Sequence, residues 1–178
     1  MNLVEKWKIW LGIENQNDKL ASSYELSLID QCISHFDHDP NPIEIESIFL
    51  AAIIARVITC DGVVENAERD FLKLELAKFY HDEKNDHANK IAELAVKWSK
   101  EFSQLENQVI GNYFRKNYSP EKNFHLLKLL VRCSAVDEQI TNMESEELRL
   151  IAHSLDLSPQ HFLAARAEYK DYLLSLKK

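Results

Sequence analysis

Three glycines and four prolines are spread over 178 residues, well short of the about 12% that these residues make up in ordinary domains. Hairpin turns and phosphate-cradling loops both depend on them. An all-β fold and a Gly-rich nucleotide loop are therefore excluded. A hydrophobic content of 46% excludes a disordered chain, because it supplies enough apolar surface for a core. What remains is helix, and the few breakers act as punctuation.

Residues 2–11 place Leu3, Val4, Trp7, Trp10 and Leu11 on one helical face, closed by Gly12. A second helix is predicted from about Ser23 to Phe36, ending before Asp39-Pro40-Asn41-Pro42. Residues 43–60 carry Ile45, Ile48, Phe49, Ile53, Ile54, Val57 and Ile58, and a helix apolar nearly all round belongs at the centre of a bundle. After Asp61-Gly62 a helix runs from about Asn66 to Phe79. The polar stretch His81–Asn89 leads into a helix with Ile91, Leu94, Ala95 and Trp98, and another carries Leu105, Val109, Ile110, Tyr113 and Phe114. Ser119-Pro120-Glu121 starts a further apolar helix to about 136, with Ser as N-cap and Pro at the first helical position. The last helices are predicted over 143–155 and 159–174. The expectation is an all-α bundle of about 7–9 helices, with residues 1–40 as an N-terminal helical extension and 41–178 as the main domain.

The chain also repeats itself: Ile48–Phe79 lies on Phe124–Leu155 without a gap. Leu50/Leu126, Arg56/Arg132, Asp61/Asp137, Asn66/Asn142, Glu68/Glu144, Leu72/Leu148 and Leu74/Leu150 are identical. Each half reads as an apolar helix, an acidic loop and an amphipathic helix. If the halves pair as EF-hand loops do, Val64 and Ile140 are expected to lie buried near each other.

The first loop, Asp61-Gly62-Val63-Val64-Glu65-Asn66-Ala67-Glu68, matches the second half of a calcium-binding EF-hand loop at its positions 5, 6, 8 and 12. Positions 1 and 3 would fall on Val57 and Thr59, which are not acids. The second loop keeps Asp137 and Glu144 but has Cys133 and Ala135 at the early positions and Glu138 for the turn glycine. Calcium takes about 6–8 oxygens, so any site here is weak and completed by water. The candidate ligands for Ca, Mg or Mn are Asp61, Glu65 and Glu68 first, then Asp137 and Glu144. The alternative for these acids is capping. Thr141-Asn142-Met143-Glu144 is a capping-box pattern, and Asp61 and Asp137 suit Asx-turns. Glu65 stands where the second half has Thr141, so Glu68 is expected to be the less engaged carboxylate.

The duplicated Asp-(Gly)-x-[Val/Ile]-x-x-x-Glu loop, with the closing segment Leu148–Phe162, resembles the TerB-like family, named for tellurite-resistance protein B. The likeness spans about 43–172 and leaves residues 1–40 outside. It implies an all-helical, non-catalytic domain tied to stress and tellurite resistance and related to the helical domain of DjlA-type co-chaperones. It also implies divalent-metal association through the loop acids. Cys60, where the family has a small residue, and Glu138 for Gly depart from its pattern.

Other chemistry finds less support. Lys+Arg is 21 and Asp+Glu 29, a net charge of −8, which disfavours nucleic acid and anionic lipid as partners. The longest apolar run, Ile48–Ala55, is far short of the about 20 residues of a membrane span. The N-terminus does not read as a signal peptide. Cys32, Cys60 and Cys133 have no metal or disulfide spacing and suit reduced thiols in the cytoplasm. His35, Asp37, His38 and Asp39 cluster before the double proline, where C-terminal helix and turn roles are the commoner use. A metal-dependent phosphohydrolase built from His38, His81, Asp82 and Asp137 is the alternative function.

Overall fold

A computed structural model describes residue 38 and residues 40–80, 86–99 and 104–173. The helices predicted over 2–11 and 23–36, with Cys32, His35, Asp37, Asp39, His81 and Asp82, lie outside these described residues. Among the described residues the fold is all-helical. It comprises α1 (Pro42–Ile58), α2 (Asn66–Ala77), α3 (Asp86–Ser99), α4 (Gln104–Asn117), α5 (Pro120–Ser134), α6 (Asn142–Ser154) and α7 (Pro159–Ala167), then a 3₁₀ turn at Lys170–Tyr172.

The proline-rich stretch before α1 is itself the helix start. Asn41 Oδ1 accepts the Ile43 and Glu44 N–H groups at 2.9 and 3.1 Å, and Glu44 Oε2 returns to the Asn41 N–H at 2.7 Å. This reciprocal box satisfies donors that a helix N-terminus leaves orphaned. Pro42 at the first position has no N–H to satisfy.

α1 is the central element, packing against α2, α3, α4, α5 and α6. Its Phe49, Ile53, Ile54 and Ile58 are fully buried, and each such side chain contributes roughly 1.5–3 kcal/mol of burial. Phe49 stacks on Tyr113 of α4 with ring centroids 3.9 Å apart. α5 packs against α1 as expected, but it is amphipathic rather than apolar all round. Leu126, Leu127, Leu130 and Val131 are buried, Phe124 and Leu129 are half-buried, and His125 and Arg132 face solvent. α5 also meets five helices, α1, α2, α4, α6 and α7, yet keeps one polar face toward solvent. α4 crosses α6 so closely that a Cβ on Gly111 would sit 2.6 Å from the Ser154 carbonyl oxygen, so only glycine fits there.

The C-terminal part departs from the predicted helix over 159–174. α7 stops at Ala167, and the chain turns so that Ile140 donates its N–H to the Tyr172 carbonyl at 2.8 Å. Ile140 and Leu173 form an isolated parallel β-bridge. α6 ends in a Schellman motif, with the Leu157 N–H on the Ala152 carbonyl, the Asp156 N–H on the His153 carbonyl, and Asp156 at φ 60°. No helix among the described residues is long and apolar enough to cross a membrane.

Candidate functional site

Loop 1 (59–65) joins α1 to α2, and loop 2 (135–141) joins α5 to α6. The two loops fall at matching places in the two halves. α1 ends at Ile58 and α5 at Ser134; α2 begins at Asn66 and α6 at Asn142. Gly62 has φ 85° and Glu138 φ 64°. The left-handed turn is therefore made in both loops, although a side chain makes it strained at Glu138.

The loop acids bind their own backbone. Asp61 Oδ1 accepts the Val63 N–H at 2.9 Å, and Asp137 Oδ1 accepts the Gln139 N–H at 3.0 Å, the Asx-turn use of both residues. Glu144 Oε2 accepts the Thr141 N–H at 2.7 Å, while Thr141 Oγ1 accepts the Glu144 N–H at 3.1 Å. The sequence points to Glu68 as the freer glutamate. Instead its Oε2 accepts the Glu65 N–H at 2.9 Å, closing on the N-cap as Glu144 does. The reason is that the returning bond needs only a backbone donor, so a Glu at the N-cap does not prevent it. What Glu65 fails to supply is a side-chain cap of the kind Thr141 gives.

Of Val64 and Ile140, expected to be buried together, only Ile140 is buried. It bridges Leu173, while Val64 is half-buried. The C-terminal segment occupies the edge of loop 2 that a facing loop would take in an EF-hand.

The two loops nevertheless lie within electrostatic reach of each other. Glu68 and Glu144 are both buried, at 5% exposure. Burial pushes the Glu68 carboxyl up to about 8, the Glu65 N–H opposing this and the charges of Glu144, Asp137 and Asp61 adding to it. Burial likewise raises Glu144, reinforced by Asp61 and Asp137 and opposed by both bonds from Thr141. Cys60 is pushed up to about 12 by burial, then by Glu144, Glu147, Asp61 and Glu68. Burial and the same two capping glutamates raise the fully buried Cys133 as well. Neither thiol is a thiolate nucleophile at neutral pH.

The acids of the loops offer carboxylate oxygens, which suit a hard divalent cation. Their geometry does not converge on one: among the described residues no three His, Cys, Asp or Glu side chains are arranged to hold an ion. Glu65 is exposed and Asp61 half-buried at the rim. Of the alternative hydrolase set, His38 pairs with Glu44 at 3.1 Å, and Asp137 is the Asx-turn residue already described.

Two features carry no obvious motif. Arg56 of α1 reaches Glu147 of α6, Nε to Oε1 at 2.9 Å, and Arg132 of α5 reaches Glu75 of α2, Nη2 to Oε1 at 2.8 Å. The arginines are counterparts in the repeat, and each ties the first helix of one half to the second helix of the other. An arginine at matching places in two apolar helices was the available signal; the partner glutamates offered none.

The family model described as tellurite resistance protein TerB matches residues 47–167, from within α1 to the end of α7. No curated protein and no solved structure matches the chain. The matched span covers both halves, both acidic loops and the crossed arginines, more than half of the sequence, and the chain belongs to the TerB family.

Proposed function

We propose that this chain is a non-catalytic, cytoplasmic interaction and stress-response module whose two acidic loops attract a divalent cation weakly. Family membership supports the stress-response part. The use of the loop carboxylates as helix caps and turn acceptors supports a structural rather than a catalytic role for them. The net charge of −8 supports protein rather than nucleic-acid partners.

One observation carries the cation reading. Two buried glutamates from the first turns of different helices, Glu68 of α2 and Glu144 of α6, share a region with Asp61 and Asp137. Deprotonating Glu68 there is opposed by burial and by three like charges, and a cation beside Asp61, Glu65 and Glu68 would relieve that repulsion. Asp61 and Glu68 each have one oxygen on the backbone, so water supplies most of the shell and Ca, Mg and Mn are the fitting ions. Asp137 and Glu144 are the secondary set.

The test is titration of Ca, Mg and Mn into the full chain, followed by backbone amide shifts. Saturable shifts over residues 61–68, larger than over 137–144, are expected at about millimolar metal. Proton release on binding is expected too, because the cation displaces the Glu68 proton. Unmoved amides over 61–68 would leave the acids as caps and turn acceptors alone.

A further inference from the structure

The two loops match bond for bond through their turns. In loop 1 the Gly62 N–H meets the Thr59 carbonyl at 3.1 Å, and the Val63 N–H meets Asp61 Oδ1 at 2.9 Å. In loop 2 the Glu138 N–H meets the Ala135 carbonyl at 3.1 Å, and the Gln139 N–H meets Asp137 Oδ1 at 3.0 Å. The shared left-handed turn is relaxed at Gly62 and strained at Glu138. Two residues beyond Glu138, loop 2 is tied to the C-terminal segment: Ile140 donates to the Tyr172 carbonyl at 2.8 Å and bridges Leu173. Ile140 is 1% exposed and Leu173 5%. Before that tie α7 has ended at Ala167, Lys170 and Asp171 are exposed, and Tyr172 is half-buried beside Tyr169. The remaining backbone bonds of Tyr172 and Leu173 are those of a short 3₁₀ turn, to the Tyr169 and Lys170 carbonyls. Among the described residues, the grip of this segment on loop 2 is one backbone bond and one buried leucine.

We propose that Lys170–Leu173 is a latch on the second acidic loop, which opens as a unit from a bundle that stays folded and whose closure holds Glu138 in its left-handed turn. Strained backbone persists where the surroundings over-determine it, and such places cluster at switch regions. Here the closed latch fixes Ile140, and the cap fixes Thr141, so the turn is pinned on its C-terminal side. Opening removes the Ile140 bond and lets Glu138 return to an ordinary backbone angle, which draws the Gln139 N–H away from Asp137. The strain released on opening offsets part of the lost burial of Leu173, so the two states lie closer in free energy than the contacts alone would set them. A segment with so few anchors opens at far less cost than the whole bundle. Loop 1 makes the same turn with a glycine, and the strained residue and the latch fall together in loop 2. Asp137 thus takes its position from a segment outside its own loop. The inference goes beyond the cation reading and does not depend on it.

The test is amide hydrogen exchange and amide shifts of the isotope-labelled full chain, in EDTA so that no cation contributes. Leu173→Ala is expected to speed exchange of the Ile140 amide about thirtyfold and to shift the amides of 137–139. The amides of Leu130 and Ile151, inside α5 and α6, are expected to exchange as in the parent. Glu138→Gly removes the strain and tests the coupling. On that background Leu173→Ala is expected still to speed Ile140 but to leave the amides of Asp137 and Gln139 in place. Leu173→Val deletes less and is expected to give the same pattern in smaller measure, which keeps the test open if Leu173→Ala unsettles the bundle. Equal acceleration at Ile140, Leu130 and Ile151 in both Leu173 variants overturns the proposal, because the segment then opens only with the bundle. An Ile140 amide unchanged by both variants overturns it too, because the segment then holds nothing. Equal shifts at Asp137 and Gln139 with and without Glu138→Gly overturn the coupling, because the latch then acts on the loop without the strained turn.

Discussion

In loop 1 the left-handed turn falls on Gly62, the capping position holds Glu65, and Val63 lies open to solvent. In loop 2 the corresponding places hold Glu138, Thr141 and Gln139, and the next residue after Gln139 is pinned to the C-terminal segment. Loop 1 has the relaxed turn and the weaker anchors. Loop 2 has the strained turn, a good cap and a strap. A left-handed Glu costs on the order of 1 kcal/mol, and such strain persists only where the surroundings over-determine the conformation. The Thr141 cap and the Ile140–Leu173 bridge do that for Glu138. Loop 1, held by less, is the half with room to respond to a ligand.

The largest expected effect separates the two crossed ion pairs. The Arg56 and Glu147 side chains are 12% and 10% exposed, whereas Arg132 is 50% exposed beside a buried Glu75 that also meets Lys78. Arg56→Ala removes a guanidinium that is largely buried against a largely buried carboxylate and is expected to cost about 3 kcal/mol. Arg132→Ala leaves Glu75 with Lys78 and is expected to cost about 1 kcal/mol or less. Urea midpoints at pH 7 measure both. Equal losses would mean that the halves are tied together symmetrically.

Next in size is the pH response of the capping glutamates. Glu68 is raised from an ordinary 4.5 to about 8, so the folded state binds more protons than the unfolded one between those values. Its contribution is fully present below about 4.5 and is lost as pH rises through about 8. Glu68→Gln keeps an acceptor for the Glu65 N–H but cannot ionise. It is expected to match the parent near pH 4.5 and to be clearly the more stable at pH 8. Glu144→Gln is expected to flatten the profile less, because two bonds from Thr141 already favour the Glu144 carboxylate. Thermal unfolding across pH 4.5–8 reads this directly. A larger effect at Glu144 would reverse the ranking of the two loops.

Much of the fold was legible because its signals are local. The Ser119-Pro120 and Ser158-Pro159 starts fall at the helix ends they announce, since capping chemistry acts within one turn, whereas Asn41-Pro42, read from the sequence as a breaker, is itself a helix start. The apolar surface of α1 determined its central place, because such a surface can only be enclosed. The Glu68 bond, the Ile140–Leu173 bridge and the Arg56–Glu147 pair were not legible for separate reasons. The first uses a backbone donor that any residue offers. The second joins two aliphatic residues whose pairing leaves no polar pattern. The third spans 91 residues, beyond any helical period. For the candidate site, the identity of the acids was readable, but their engagement with the backbone and the approach of one loop to the other were tertiary facts.

The smallest predicted effect asks whether the cap alone explains the contrast between the loops. Glu65→Thr gives α2 the residue that starts α6. Thr is a good N-cap and Glu is not, so the Glu68 N–H would gain the hydroxyl acceptor that the Glu144 N–H has. The expected gain is about 1 kcal/mol in a urea titration. The same change removes one acid from the loop and adds a hydroxyl donor within reach of the Glu68 carboxylate, so the Glu68 titration is expected to fall from about 8. Carboxyl NMR shifts across pH 5–9 follow it. A chain that gains stability while Glu68 stays near 8 would place the origin of that shift in burial and the facing acids alone, with the cap acting only on the helix. A chain that gains nothing would mean that α2 is held by its packing on α1 and α3, and that loop 1 differs from loop 2 through the missing strap rather than through its cap.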